Sequence, residues 1–284
     1  MKLNRNFRMF IEAIDGQTIE ITSPFSIEFD IQRNMYGSPN VFSFRIFNLS
    51  KRNRNRIRKD AWDIQDQRRI EFRAGYGNNL KTLAVGNIKR ADSVREGTDF
   101  ITTIEGFDGG LAFAEAAVDT TFQSGAQKKT ILQSLIRNLN KQGIQPGAIG
   151  NFEGALVRGN SYSGNTIDII KEITGGFFFI DNEKAYCLQD DEAILADVFV
   201  LNSSTGLLST PKREETFLTF DILFEPSLQV GSLISLISLT EENFNGIHRV
   251  QKIHHRGIIS EAVGGTAIST VGLLDGTFNP VAGL

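Results

Sequence analysis

The side chains that could act on a substrate are few, and their spacing is poor. Ser209-Thr210-Pro211-Lys212 matches S-x-x-K, in which a lysine one helical turn away activates a serine hydroxyl for acyl transfer. Pro211 opposes that turn: it has no N–H, and it biases Thr210 towards extended backbone. The following "REETF" is charged rather than core-forming. The histidines are His248, His254 and His255. On a strand, His254 and His255 point to opposite faces. His248 shares a face with His254 but sits about 20 Å from it, at about 3.3 Å per residue. They therefore read as surface or cross-strand packing residues. Asp190-Asp191-Glu192, Glu214-Glu215 and Glu241-Glu242 read as solvated loop acids. Paired acid/base catalysis instead needs carboxylates on converging elements in contrasting environments. "DNEKAY" (181–186) lacks the glycine and the terminal glutamate of a calcium loop, and there is no phosphate-loop or zinc-spaced Cys/His pattern. The expectation is no catalytic residue, no metal site and no cofactor.

One charged constellation stands out. "NLSKRNRNRIRKD" (48–60) places Lys51, Arg52, Arg54, Arg56, Arg58 and Lys59 within nine positions. Such a run could hold phosphate, serve as a targeting signal, or form the wet face of a helix that meets another protein. The surrounding chain weighs against nucleic acid. Net charge is -3 overall, with +4 over residues 1–110, -4 over 111–200 and -3 over 201–284. No aromatic lies between 48 and 61 to stack on a base; only Asn53 and Asn55 interleave the arginines.

The elements that must position this run are mostly strands. "FSIEFDIQ" (25–32) alternates Phe25, Ile27, Phe29 and Ile31 against polar residues, the period-two pattern of a half-buried strand. Residues 41–48, 69–76, 82–94 and 99–108 continue the series, with "YGSPN" (36–40) as a turn. Ser50 is a suitable N-cap for a helix over 51–59, anchored by Leu49 and Ile57 and continued by Ala61 and Ile64 at helical spacing. Its six like charges repel unless a partner neutralises them.

Helical patterns dominate the middle: 111–118, 128–143 with Gly143 as its stop, and 165–176 capped by Asn165 or Thr166 and stopped by Gly175-Gly176. A hairpin turning at 181–184 follows, and strand-like runs resume from about 198, with a loop at 241–246. The fold class is α+β, mainly β: a first β-barrel module (1–110) carrying the helix 51–59, a small α/β insert (111–199) and a second β-barrel module (200–284). Closure into barrels is the usual way for short strands to remove their edges. The 22 Phe fit pleated cores. No stretch reaches membrane-span length, the apolar run near the start is short for a signal peptide, and the single Cys187 reads as a small buried hydrophobe. Synthesis and assembly in a reducing host cytoplasm are expected.

The order of these segments resembles a known family. A strand "FSIEFDIQ", then "VFSFRIFNLS", a charged helix, "RIEFRAGY" and "FITTIEGFDGG" is similar to the first barrel of tailed-phage baseplate hub proteins, the late control protein D group and its relatives in contractile injection systems. "GNSYSGNTIDIIKEITGGFFFIDNEKAYCL" and "FEPSLQVGSLISLIS…NGIHRVQKIHHRG" look like that family's middle and last segments. The resemblance implies antiparallel tube-type barrels and a structural virion protein of the tail baseplate. It implies a homotrimer of near-sixfold symmetry joining the tail tube protein to the spike protein beside other baseplate proteins, with DNA only as passing cargo. On this reading Lys51, Arg52, Arg54, Arg56, Arg58 and Lys59 form a subunit interface facing acidic neighbours. The acidic clusters would be candidates for the channel lining. A distal tail or tube-initiator protein of a non-contractile phage, a nucleic-acid-binding β-barrel protein and an enzyme of another type stay open as alternatives.

Overall fold

The computed structural model describes residues 4–262 and 264–283. The chain opens with β1 (Arg5–Glu12), β2 (Thr18–Thr22), β3 (Ile27–Asn34), β4 (Val41–Phe47), α1 (Lys51–Ile57), β5 (Arg69–Tyr76), β6 (Asn79–Glu96) and β7 (Asp99–Phe107). The middle holds α2 (Gly110–Glu115), β8 (Ala117–Phe122), α3 (Lys128–Asn138), β9 (Gln145–Ile149), β10 (Asn160–Asn165), α4 (Thr166–Thr174), β11 (Phe179–Asp181) and β12 (Lys184–Cys187). The last part is β13 (Glu192–Leu201), β14 (Lys212–Glu214), β15 (Phe217–Leu223), β16 (Ser232–Leu236), β17 (Gly246–Ile259), β18 (Ala267–Asp275) and β19 (Asn279–Val281). The molecule is mainly β; among the described residues the α-helices are confined to α1 and the middle segment, and the last part carries only a short 3₁₀ turn at Glu242–Phe244.

Period two builds the strands. Ile27, Phe29 and Ile31 of β3 and Phe42, Phe44 and Ile46 of β4 point into one core, while Glu28, Asp30, Ser43 and Arg45 stay at least partly exposed. Phe25 packs against this core from outside β3. The edge pair β1 and β2 follows the same alternation through Phe7, Met9, Ile11, Ile19 and Ile21, a signal the sequence reading passed over.

The large sheet runs β14-β15-β18-β17-β3-β4-β7-β6-β5-β1-β2. Its hinge is β17. One edge of β17 pairs with β18; the other is shared, pairing with β16 through Gly246–Arg249 and with β3 through Lys252–Ile259. The early and late β-rich segments are therefore hydrogen-bonded into one sheet. Three apolar clusters fill the molecule, the third on a separate three-stranded sheet β11-β12-β9. The first fills the space under β1–β7 but also takes Phe224, Ile259 and Ala267; the second belongs mainly to β13–β18; the third packs α3 and α4 on β9, β11 and β12.

Two helices are shorter than their sequence patterns. The helix expected over 51–59 ends at Ile57, because Arg58 turns to an extended conformation and Lys59 exchanges both backbone bonds with Ala91, at 2.8 and 3.0 Å. Ala61 and Ile64, read as its continuing stripe, are consequently exposed. The helix expected over 111–118 stops at Glu115, because Ala117–Phe122 pairs antiparallel with Asn160–Asn165. The helix expected over 128–143 is α3 followed by a 3₁₀ turn (Leu139–Gln142), and Gly143 closes it at φ 82°. Asn165 caps α4, accepting the N–H groups of Ile167 and Asp168 at 2.9 and 3.3 Å.

Candidate assembly surface

The basic run divides once it folds. Ser50 caps α1 by accepting the Asn53 N–H at 3.3 Å, and Ile57 is fully buried beneath it. Of the six cations, three turn back to the protein. Arg56 makes a two-point contact with Asp15 at 2.9 Å and also donates to Gln17 at 3.1 Å. Hydrogen bonding to Arg56 holds the Asp15 carboxyl below its ordinary range. Arg54 lies over the Phe100 ring, 3.7 Å from its centre, a cation–π contact. Lys59 is buried and donates to the carbonyls of Asp63, at 2.6 Å, and Asp66. Lys51, Arg52 and Arg58 stay exposed, Arg58 with only a loose approach of 3.8 Å to Asp60.

An apolar tip follows in the chain. The loop after α1 carries Trp62, 93% exposed, and Ile64, 75% exposed. It is held from below by Lys59, by Gln67 donating to the Ile64 carbonyl at 2.5 Å, and by Arg68, whose guanidinium bonds the carbonyls of Arg56 and Arg58 at 2.9 and 2.7 Å. An exposed Trp four residues from the exposed Arg58 has the composition of an interface anchor. The sequence reading missed this pair because it set Ile64 on a helix.

A buried polar junction fixes the middle segment to the sheet. Arg33 on β3 clamps Asp181 on β11 through two guanidinium nitrogens, one of them at 2.7 Å, and donates to the Leu228 carbonyl at 3.3 Å. Asn40 donates to Asp181 at 3.1 Å and to the Ile180 carbonyl at 3.0 Å. Burial is the largest influence and lowers the Arg33 pKa, but the charge of Asp181 and its hydrogen bonds, with smaller contributions from neighbouring groups, together outweigh it and the net shift is upward. Asp108, also buried, accepts the Glu183 N–H at 2.9 Å. Burial first, and then the neighbouring Asp181 charge, push its pKa up to about 8. At the rim Arg69 pairs with Glu183 at 2.8 Å. Arg33, Arg69, Asp181, Glu183 and Tyr186 line an open cleft of about 470 Å³. The sequence signal was faint: Arg33 continues the inward phase of β3, where a charge needs a buried partner.

The other candidates are apart. Ser209 accepts the Asp221 N–H at 2.8 Å, and Lys212 is exposed on β14. His255 is fully buried against Ser269, at 2.7 Å, and burial followed by the Arg33 charge holds its pKa well below the ordinary value. His254 faces the other way and meets Asp30 at 2.9 Å. His248 is buried and bonds the Phe244 carbonyl at 2.9 Å. Among the described residues no three His, Cys, Asp or Glu side chains gather as a metal site, and no helix is long and apolar enough to cross a membrane. Cys187 is buried, which pushes its thiol pKa up.

Comparison with known proteins agrees with this architecture. The model of one family, described as baseplate hub gp41, matches residues 8–258. A prophage MuSo2 43 kDa tail protein from Shewanella oneidensis superposes with a TM-score of 0.60 at 8% identity, over 94% of this chain and 96% of the other. A tail protein from Neisseria meningitidis MC58 gives 0.61 at 9% identity, over 96% and 97%. The c3393 protein of E. coli, a type VI secretion component with structural similarity to the T4 tail proteins gp27 and gp5, gives 0.56 at 9% identity, over 89% and 74%. At these identities the likeness is one of fold. Against curated protein sequences, nothing matches.

Proposed function

The chain belongs to the baseplate hub gp41 family, and on that premise we propose that it is the structural hub of a phage tail. Three copies form a ring that presents near-sixfold symmetry to the tail tube protein and threefold symmetry to a spike protein, with other baseplate proteins around it. DNA passes through as cargo. The protein acts in the virion, at the tail baseplate, after assembly in the host cytoplasm. It has no catalytic function of its own.

The observation that carries this reading is the β17–β3 ladder. It hydrogen-bonds the early β-rich strands to the late ones; on this reading the segments 1–110 and 200–284, on either side of the α/β insert 111–199, each serve as a tube-type barrel module. A ring of such pairs has twice as many modules as chains, which reconciles a threefold spike with a sixfold tube. The likeness to tail and secretion proteins supports a spike as the partner on one side. Lys51, Arg52 and Arg58 face a neighbouring subunit or baseplate protein, with Trp62 and Ile64 as the apolar centre of that contact. Arg54, Arg56 and Lys59 hold the helix and its loop in place.

Native mass spectrometry or electron microscopy of the assembled protein tests the stoichiometry. Three copies per ring are expected. Six copies per ring, or a protein that stays monomeric at assembly concentrations, would overturn the reading.

A further inference from the structure

The sheet contains a repeat of pairing. In chain order β3-β4-β5-β6-β7 corresponds to β14-β15-β16-β17-β18. The ladder β3–β4 matches β14–β15, β4–β7 matches β15–β18, β6–β7 matches β17–β18, and β5–β6 matches β16–β17. The long strands β6 and β17 even carry a bulge at the same place, between Ile88 and Arg90 and between Val250 and Lys252. Among the ladders that join these ten strands, one has no counterpart. β17 of the second unit pairs with β3 of the first. Among the described residues, the corresponding edge of β6, beyond the Lys59–Ala91 bridge, has no strand on it. The counterpart of β3 is β14, whose outer edge ends the sheet.

Resting on the proposed ring, we infer that the edge of β6 at Asp92–Glu96 pairs antiparallel with β14 of a second copy of this chain, repeating the β17–β3 ladder between subunits. The ladders themselves set the register. Aligning the bulges places Ile88 on Val250, and hence its partner Gly106 on Leu273. Val41, opposite Phe107, then falls on Phe217, opposite Leu274. Gln32, opposite Val41, falls on Glu214, opposite Phe217. Within the chain Ile31 faces His255 and Asp30 faces Arg256. Between copies, Arg213 therefore faces Ser93, and Lys212 faces Val94.

Backbone polarity checks this register independently. Neighbouring residues of an antiparallel strand bond to opposite sides. Ala91 bonds Lys59 on the open edge, so Ser93 turns its N–H and C=O to that same edge. Across the two-residue turn Glu215-Thr216, Glu214 pairs back with Phe217, so Arg213 turns its own groups outward. The register derived from the repeat brings these two outward sets together. It also covers Val94, which is 49% exposed on a lone chain, and sets Lys212 diagonally between Asp92 and Glu96. Open edges are a liability that closure into a ring removes.

Disulfide trapping tests the pairing. Val94→Cys and Lys212→Cys are made in separate full-length chains, mixed, assembled and oxidised. Facing residues of this ladder lie within disulfide reach, and the native Cys187 is buried. The expected product is a reductant-sensitive doubling of the 31.5 kDa band, absent when Arg95→Cys, which points to the other face, replaces Val94→Cys. Rings that form without the 94–212 link, or that link 95–212 equally well, overturn the register and leave the hub reading standing. Failure to form any ring overturns both.

Discussion

At the scale of single residues, the Arg33–Asp181–Asp108 junction has the largest consequence. Arg33 satisfies Asp181, whereas Asp108 lies buried beside a carboxylate with backbone N–H groups as its donors. Its folded pKa of about 8 lies above the ordinary 3.8. Between those values the native state holds a proton that the unfolded chain releases. The stability tied to this proton is fully present below about pH 4 and is lost as pH rises through about 8. Each pKa unit is worth about 1.4 kcal/mol, so the loss is on the order of a few kcal/mol. Asp108→Asn keeps an acceptor for the Glu183 N–H and removes the titration. Denaturant melts at pH 5 and pH 8.5 should differ less for D108N than for wild type. An unchanged difference would show that Asp108 is not the group responsible.

At the scale of elements, α1 is a helix whose charges have divided duties. Arg52 and Arg58 touch little of their own chain, so reversing both with R52E/R58E should move stability by no more than about 0.5 kcal/mol per site. Ring assembly should nevertheless be lost if this surface meets an acidic neighbour. Arg56→Glu should behave in the opposite sense. It sets a carboxylate against Asp15 and Gln17, so the thermal midpoint should fall before assembly is even tried. Thermal melts alongside native mass spectrometry separate the two classes. If R52E/R58E assembles normally, the exposed cations are only a wet face.

At the scale of the whole molecule, the shared strand β17 and the mixed first core argue for one cooperative unit. Phe224, from the late segment, is fully buried among Phe29, Tyr76 and His255, and its carbonyl accepts the Tyr76 hydroxyl at 2.8 Å. Phe224→Ala removes a side chain that the early core needs, at a cost of about 3–5 kcal/mol. Calorimetry should show a single endotherm for wild type and a single, lower one for F224A. Two resolved endotherms, only one of them displaced, would show that the early and late segments unfold independently.

Local pattern alone determined much of this protein. Alternating Phe and Ile residues placed β3–β7, Ser50 and Asn165 placed two helix starts, and Gly143 and Gly175 placed two helix ends, because each rests on contacts within a few residues. The ordered segments also carried the family resemblance, and the family match agrees with it. Only the tertiary structure decided what long-range contacts decide. Asp30 and His254 meet 224 positions apart, and no periodicity in either strand names its partner. Whether Arg54, Arg56 and Lys59 face solvent depended on Phe100, Asp15 and the Asp63–Asp66 loop, distant or irregular in sequence. The end of α1 goes with a backbone bridge between Lys59 and Ala91, a pairing that no local pattern around residue 59 names. A buried charge such as Arg33 is legible as polar in an apolar phase, but its partner appears only when the sheet and the middle segment close on each other.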